Sequence, residues 1–246
     1  MTYCIGILLN DGIILGSDSR TNAGVDNFAK FCKMTVFERP GDRVIVLLSS
    51  GNLSGTQAIT SILKQRSEDT GPAPNLYTAK TMFDVTGLVA DAMRDIGRRD
   101  GPHLQGTDGG FNASFIVGGQ IRGEAPRLFR IYAEGTFIEA GTDTPFLQTG
   151  EAKYGKPILD RVITTSLSLH EAAKCALVSM DSTMKSNLSV GLPLDLVCYR
   201  GDSFAVDQHT LIDDQDAYFN TIRRSWGQTL RKGFDELPNP QWWAKS

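Results

Sequence analysis

Apolar positions along this chain follow two rhythms: short runs rich in β-branched residues closed by turn residues, and longer stretches with apolar residues at helical spacing. The opening run and the run Gly12-Ile13-Ile14-Leu15-Gly16 meet at Asn10-Asp11-Gly12, a hairpin signal, and their weak alternation predicts strands buried on both faces. Met34 to Phe37 and Val44 to Ser49 predict a second hairpin around a longer turn at Glu38 to Arg43. Its end, Ser49-Ser50-Gly51-Asn52, opens a helix to about Arg66, with Leu53, Ile59, Ile62 and Leu63 as the apolar face and Asn52 or Ser54 as the cap.

After a loop at Glu68 to Asn75, Tyr77 to Arg99 reads as an amphipathic helix with Met82, Val85, Val89, Met93 and Ile96 on one face. Asp100 to Gly110 is a polar, glycine-rich loop without the lysine of a phosphate-binding loop, suited to a subunit contact. Phe111 to Gly118, Arg127 to Tyr132 and Thr136 to Ala140 predict strands. Glu151 to Val162 and Ser168 to about Lys185 predict a helix pair, the second begun by the capping box Ser168 to Glu171. A last hairpin, Gly191 to Tyr199 and Ser203 to Val206, turns at Arg200-Gly201-Asp202. Asp213 to Phe234 is a final helix, followed by the tail Pro238-Asn239-Pro240-Gln241-Trp242-Trp243. This order suits an α+β fold in which two antiparallel sheets pack face to face with helices outside. No linker divides the chain, so residues 1–246 read as one domain whose C-terminal helix and tail begin near 213.

Composition narrows the function classes. A net charge of −3 argues against nucleic acid or an anionic membrane as the main partner. No apolar run approaches the ~20 residues of a membrane span and no basic segment leads into an apolar one at the start, so a cytoplasmic location is expected. Cys4, Cys32, Cys175 and Cys198 lack metal-ligand spacing and read as thiols, and no metal or cofactor is implied.

The chemistry gathers at the beginning. Removal of Met1 makes Thr2 the first residue, with its hydroxyl and a free α-amine on adjacent carbons: a nucleophile with its own base. Such an amine titrates near pH 7.7 to 8, and the nearby ammonium of Lys33 lowers it further. The hairpin returns Asp18 to the neighbourhood of Thr2. A Met-Thr start alone would say only that Thr2 opens an edge strand. At Gly51, free N–H groups at a helix start can hold an oxyanion.

Thr2, Gly16-Ser17-Asp18-Ser19-Arg20-Thr21, Gly24, Lys33 and Leu47-Leu48-Ser49-Ser50-Gly51 resemble the catalytic frame of proteasome β-subunits, among the N-terminal-nucleophile hydrolases. Met1-Thr2-Tyr3-Cys4 and Arg20 to Asn27 are similar to the branch called Anbu, the ancestral β-subunit. The resemblance runs from Thr2 to about Asp207. It implies a four-layer αββα sandwich, with Thr2 as nucleophile, Lys33 tuning the amine, Asp18 orienting the lysine and the Gly51 amide as oxyanion donor. It puts Thr149 in place of a serine between glycines, with Gln148 replacing the first glycine, and Asp181 beside the nucleophile. Either Ser189 or Met184 takes a further serine position, and Ser189 has the chemistry.

The function expected is hydrolysis of amide bonds in peptides through an acyl-enzyme on Thr2, by a ring-like or helical homo-oligomer. An unfolding ATPase as partner is not legible. Two alternatives share the frame: a small-molecule amidase, and a silent ring-forming scaffold if Met1 is kept, since the Thr2 nitrogen is then an amide. Ser49 and Leu53 suggest a modest apolar specificity pocket. The tail tryptophans either cover a neighbouring subunit or fold back on their own.

Overall fold

The structure is a computed structural model, and it describes residues 2–22, 28–104, 111–206 and 208–243. Met1, Gly24, the loop residues 105–110 and the side chain of Trp243, which the sequence singled out, lie outside the described residues. The strands and helices, in chain order, are β1 (Tyr3–Leu9), β2 (Gly12–Asp18), β3 (Arg20–Asn22), β4 (Phe28–Lys30), β5 (Met34–Arg39), β6 (Arg43–Gly51), α1 (Leu53–Glu68) and α2 (Met82–Asp100). There follow β7 (Ala113–Ile121), β8 (Arg127–Ile131), β9 (Phe137–Glu139), β10 (Phe146–Gly150), α3 (Lys156–Val162), α4 (Leu169–Ser186), β11 (Leu194–Arg200), β12 (Gln208–Ile212) and α5 (Ala217–Asp235). One five-stranded antiparallel sheet has the order β10-β1-β2-β11-β12, and a second has β5-β6-β7-β8-β9.

Three apolar layers hold four structural layers together, which makes the fold an αββα sandwich. Cys4, Ile13, Leu15, Val46, Leu48, Ile116, Leu128 and Val197 fill the space between the sheets. Ile5, Ile7 and Ile14 pack under α3, α4 and α5 with Ala176, Met180 and Phe219. Ile45, Leu47, Phe115 and Phe129 pack under α1 and α2 with Ile59, Val85, Val89 and Met93. β1 and β2 are buried on both faces, as their unbroken apolar runs required. Each fully buried Ile, Leu or Phe contributes ~1.5–3 kcal/mol, against ~0–1 kcal/mol for an exposed ion pair, so these layers carry the fold.

Several boundaries differ from the sequence reading. The helix expected from Tyr77 begins at Met82, because the Asn75 side chain folds Tyr77 and Thr78 into a turn by accepting from both their N–H groups. Thr81 then caps the helix in a box with Asp84. The helix expected from Glu151 begins at Lys156, with Pro157 in its first turn. The last strand lies at Gln208–Ile212, not at Ser203 to Val206. Those residues form a wider turn tied to the opposite sheet, where Gly41 N–H donates to Phe204 O at 3.1 Å and Asp202 N–H to Gln120 Oε1 at 2.8 Å. Among the described residues, no helix is long and apolar enough to cross a membrane.

Candidate active site

The start of β1, the ends of β2 and β6 and the end of β10 converge on Thr2. Register explains the convergence: Cys4 pairs with Ser17 on β2 and with Thr149 on β10, so Asp18 and Gly150 both fall beside Tyr3. Thr2 is nearly buried, and its carbonyl accepts from Glu151 N–H at 2.7 Å. Gly150 makes this approach possible. It has φ +82°, and a Cβ there would lie 1.9 Å from Thr2 O, a contact no side chain tolerates.

Asp18 is fully buried at the end of β2 and holds three segments at once. Its Oδ1 accepts from Tyr3 N–H at 3.0 Å and from Lys33 Nζ at 2.8 Å, and its Oδ2 accepts from Gly191 N–H at 3.3 Å. Lys33 Nζ also donates to Arg20 O at 2.5 Å. Burial pushes the Asp18 carboxyl above its usual range, opposed by Lys33 and the two amide donors. A second carboxylate, Asp195 on β11, fixes the residues flanking this pair. Its Oδ2 accepts from Ser19 Oγ at 2.9 Å and from Cys32 Sγ at 3.6 Å, while Oδ1 meets His209 Nε2 at 3.2 Å.

Gly51 ends β6 with φ +106°, and a Cβ there would lie 2.0 Å from Asn112 O. Asn52 caps α1 directly after it, accepting from Gly55 N–H at 3.0 Å, so the helix start stands beside the glycine. Thr149 is buried on β10, where its hydroxyl bonds with Ser50 Oγ at 2.8 Å and Ser114 Oγ at 2.7 Å, joining the two sheets. Ser50 and Ser114 close the triangle at 3.0 Å.

Ser189 lies in the short segment after α4 that touches this region at both ends. Its N–H donates to Asn187 Oδ1 at 2.9 Å, Asn187 Nδ2 donates to Glu151 Oε2 at 2.8 Å, and Gly191 reaches Asp18. Met184, the other candidate for that serine position, packs against the core beneath α4. Asp181, expected beside the nucleophile, is held elsewhere. It is fully buried on α4, with Arg223 Nε of α5 at 2.9 Å and Lys185 Nζ at 3.4 Å as its ion-pair partners. The sequence reading therefore missed Glu151, Asn187 and Asp195, and misplaced Asp181. The spacing Asn187-Leu188-Ser189-Val190-Gly191 was the available signal for Asn187.

Thr2, Lys33, Gly51, Thr149 and Gly150 line a cleft of about 1080 Å³ between the sheets and α1. Its character differs from the modest apolar pocket expected from Ser49 and Leu53. Met34 and Leu53 are the large apolar side chains lining it, and Thr35, Thr56, Gln57, Thr60 and Ser61 make most of one wall polar. Among the described residues, no group of His, Cys, Asp and Glu could hold a metal ion.

A family model described as proteasome subunit matches residues 2–192. Among solved structures, Anbu (ancestral beta-subunit) from Yersinia bercovieri is 46% identical with a TM-score of 0.91, over 97% of this chain and 99% of that one. The helical assembly of the Anbu complex from Pseudomonas aeruginosa is also 46% identical with a TM-score of 0.90, over 97% and 98%. A probable proteasome subunit beta type-2 from Schizosaccharomyces pombe is 25% identical over 80% of this chain. The chain spans 66%, just under two thirds, of that curated relative's length. With a family model across most of its length and 46% identity to Anbu structures over nearly all of it, this chain belongs to the proteasome-subunit family, within the Anbu group.

Proposed function

We propose that the protein is a threonine-type amide hydrolase that cleaves peptides through an acyl-enzyme on Thr2. The observation that carries this is the convergence of the Asp18–Lys33 pair on the amino-terminal strand, 2.8 Å apart and buried, beside a cleft that Thr2 lines. A buried ion pair is costly unless its bonds are complete, and here Asp18 has two further amide donors.

In this mechanism, removal of Met1 frees the α-amine of Thr2. The amine takes the hydroxyl proton, directly or through one water, while Thr2 Oγ1 bonds to the substrate carbonyl carbon and the carbonyl electron pair moves onto oxygen. The Gly51 amide stabilises that oxyanion at the start of α1. Collapse expels the leaving nitrogen, which takes the proton back from the ammonium and leaves an ester on Thr2. A water deprotonated by the same amine then attacks the ester, releasing the acid and restoring the hydroxyl. Lys33 keeps the amine unprotonated near neutral pH, Asp18 holds the lysine, Thr149 lines the cleft with Thr2, and Ser189 sits on the segment that brings Gly191 to Asp18.

The cleft volume, above the range of most small-ligand pockets, favours a peptide over a small amide. Likeness to the Pseudomonas aeruginosa helical assembly supports a homo-oligomer, helical or ring-like, for this chain too.

Intact mass and peptide hydrolysis test the proposal together. Wild-type protein should lack Met1, cleave fluorogenic peptides and take one equivalent of an epoxyketone on Thr2. Retention of Met1, or an adduct that persists in Thr2→Ala, overturns it.

A further inference from the structure

The charge in the cleft is one-sided. Among the described residues, three cations line it, Lys33, Lys64 and Arg130, and no carboxylate does. Asp18 neutralises Lys33 from behind. The other two have no ion pair among the described residues. Arg130, on β8, is half-buried, stacks on the Tyr132 ring with its guanidinium carbon 4.7 Å from the centroid, and has a buried Nε without a hydrogen-bond partner. That nitrogen is closed to solvent, so an anion in the cleft is drawn by the charge of the guanidinium and not by a bond to Nε.

Lys64 supplies the second charge from α1. Leu53, Thr56, Gln57, Thr60 and Lys64 line the cleft along one face of α1, spaced three and four residues apart. Lys64 is exposed and stands roughly 16 Å along the helix from Leu53, and its side chain leans back toward the helix start. An extended peptide advances ~3.3 Å per residue, so one bound past Thr2 passes Lys64 within a few residues. The start of α1 adds partial positive charge, and no acidic residue in its first turn offsets it.

We infer that this cleft selects acidic peptides: Arg130 and Lys64 take glutamate or aspartate side chains near the bond to be cut. The inference rests on the hydrolase assignment of Thr2 for its kinetic readout, and on the cleft alone for its binding readout. Acidic selection suits the polar wall, where hydroxyls and amides solvate a carboxylate better than an aliphatic chain.

The test uses three hexapeptide epoxyketones that differ only in carrying Glu, Leu or Lys at alternate positions, the residue beside the electrophile included, so that the probe spans the distance to Lys64. Intact mass follows labelling of the full chain, and the Glu probe should label at least about tenfold faster than the Lys probe at low salt, with the ratio shrinking as salt is added. Lys64→Glu, on an exposed position that leaves the fold alone, should cut that ratio to about threefold or less, as should Arg130→Gln. Equal rates for the Glu and Lys probes, or a ratio unchanged in both variants, overturn the inference. If no probe labels at all, the hydrolase assignment fails instead. Anisotropy of a fluorescein-labelled Glu-rich hexapeptide on Thr2→Ala protein then decides for the cleft. Salt-sensitive binding that Lys64→Glu abolishes supports acidic selection, and no binding overturns it.

Discussion

Two buried aspartates, Asp18 and Asp181, are alike by exposure and charge partner and opposite in what surrounds them. Both are fully buried and both meet a basic side chain within 3 Å. Asp18 also accepts amide bonds from Tyr3 and Gly191, and its lysine is itself buried and bonded to a carbonyl. Asp181 meets Arg223 and Lys185, whose side chains reach solvent and belong to α5 and to its own helix. The first is fixed by three segments converging on the chain start; the second fastens an outer helix to an inner one. A buried acid with a cation is thus not a catalytic signature. The location of its remaining donors is what separates the two roles.

The sharpest break in the comparison is to remove each cation in turn. Lys33→Ala should lower hydrolysis by ~10³-fold or more and cost ~3–5 kcal/mol of stability, since it strands the Asp18 charge. Arg223→Ala should cost ~1–3 kcal/mol, read as a lower Tm, while kcat/KM stays within about threefold. Equal losses of activity in the two variants would erase the distinction. Gly150→Ala should come next. The added Cβ collides with Thr2 O, so a residual fold would carry a displaced Thr2, and epoxyketone labelling should drop by more than about tenfold. Labelling at the parent rate would show that Gly150 does not position the nucleophile.

Acid separates the two aspartates differently. The Asp18 carboxyl lies above its usual value, so it takes a proton earlier than an ordinary carboxylate as pH falls. For an acid raised in this way, the folded state holds the proton more tightly than the unfolded chain. Its contribution to stability is therefore present below the unfolded value and is lost as pH rises through the folded one. Acidification should remove activity, by neutralising the partner of Lys33, at a pH where circular dichroism still reports the native fold. Simultaneous loss of both would refute the assignment. The smallest effect expected at the cleft comes from the other end of the chain. Leu230, Phe234, Leu237 and Trp242 are exposed along α5 and the tail. Deleting residues after Leu237 should shift an oligomer to smaller species in light scattering, with little change in single-subunit folding. An unchanged mass would free the tail from assembly.

Asp18 and Gly51 had local signals, the hairpin that fixes the register of Asp18 and the glycine before a helix cap, whereas Lys33 entered through the family resemblance. Thr149 came from the family resemblance alone, which matched it to a serine, and its bonds to Ser50 and Ser114 were not foreseen. Glu151 looked like the first residue of a helix, and only its amide bond to Thr2 O, made across the β1–β10 pairing, reveals its position. Asp195 acts on Ser19 through the pairing of β11 with β2, a contact between distant parts of the chain that no local periodicity announces. Asp181 misled because a buried polar position on a helix gives no sign of which neighbour it faces. The end of the final hairpin slipped for the same reason, its turn being set by the bond from Gly41 to Phe204 on the other sheet.

The triangle of Ser50, Ser114 and Thr149 has a consequence for how the floor of the cleft answers a substrate. Three hydroxyls in a closed ring can each give one proton and take one, clockwise or anticlockwise, with the oxygens unmoved. The two senses bond equally well yet turn their dipoles in opposite directions. A floor of this kind is rigid in position and one-sided in character: with every proton spent inside the ring, either sense leaves only lone pairs for a bound donor, and one bond of the ring must open before the floor can give a proton.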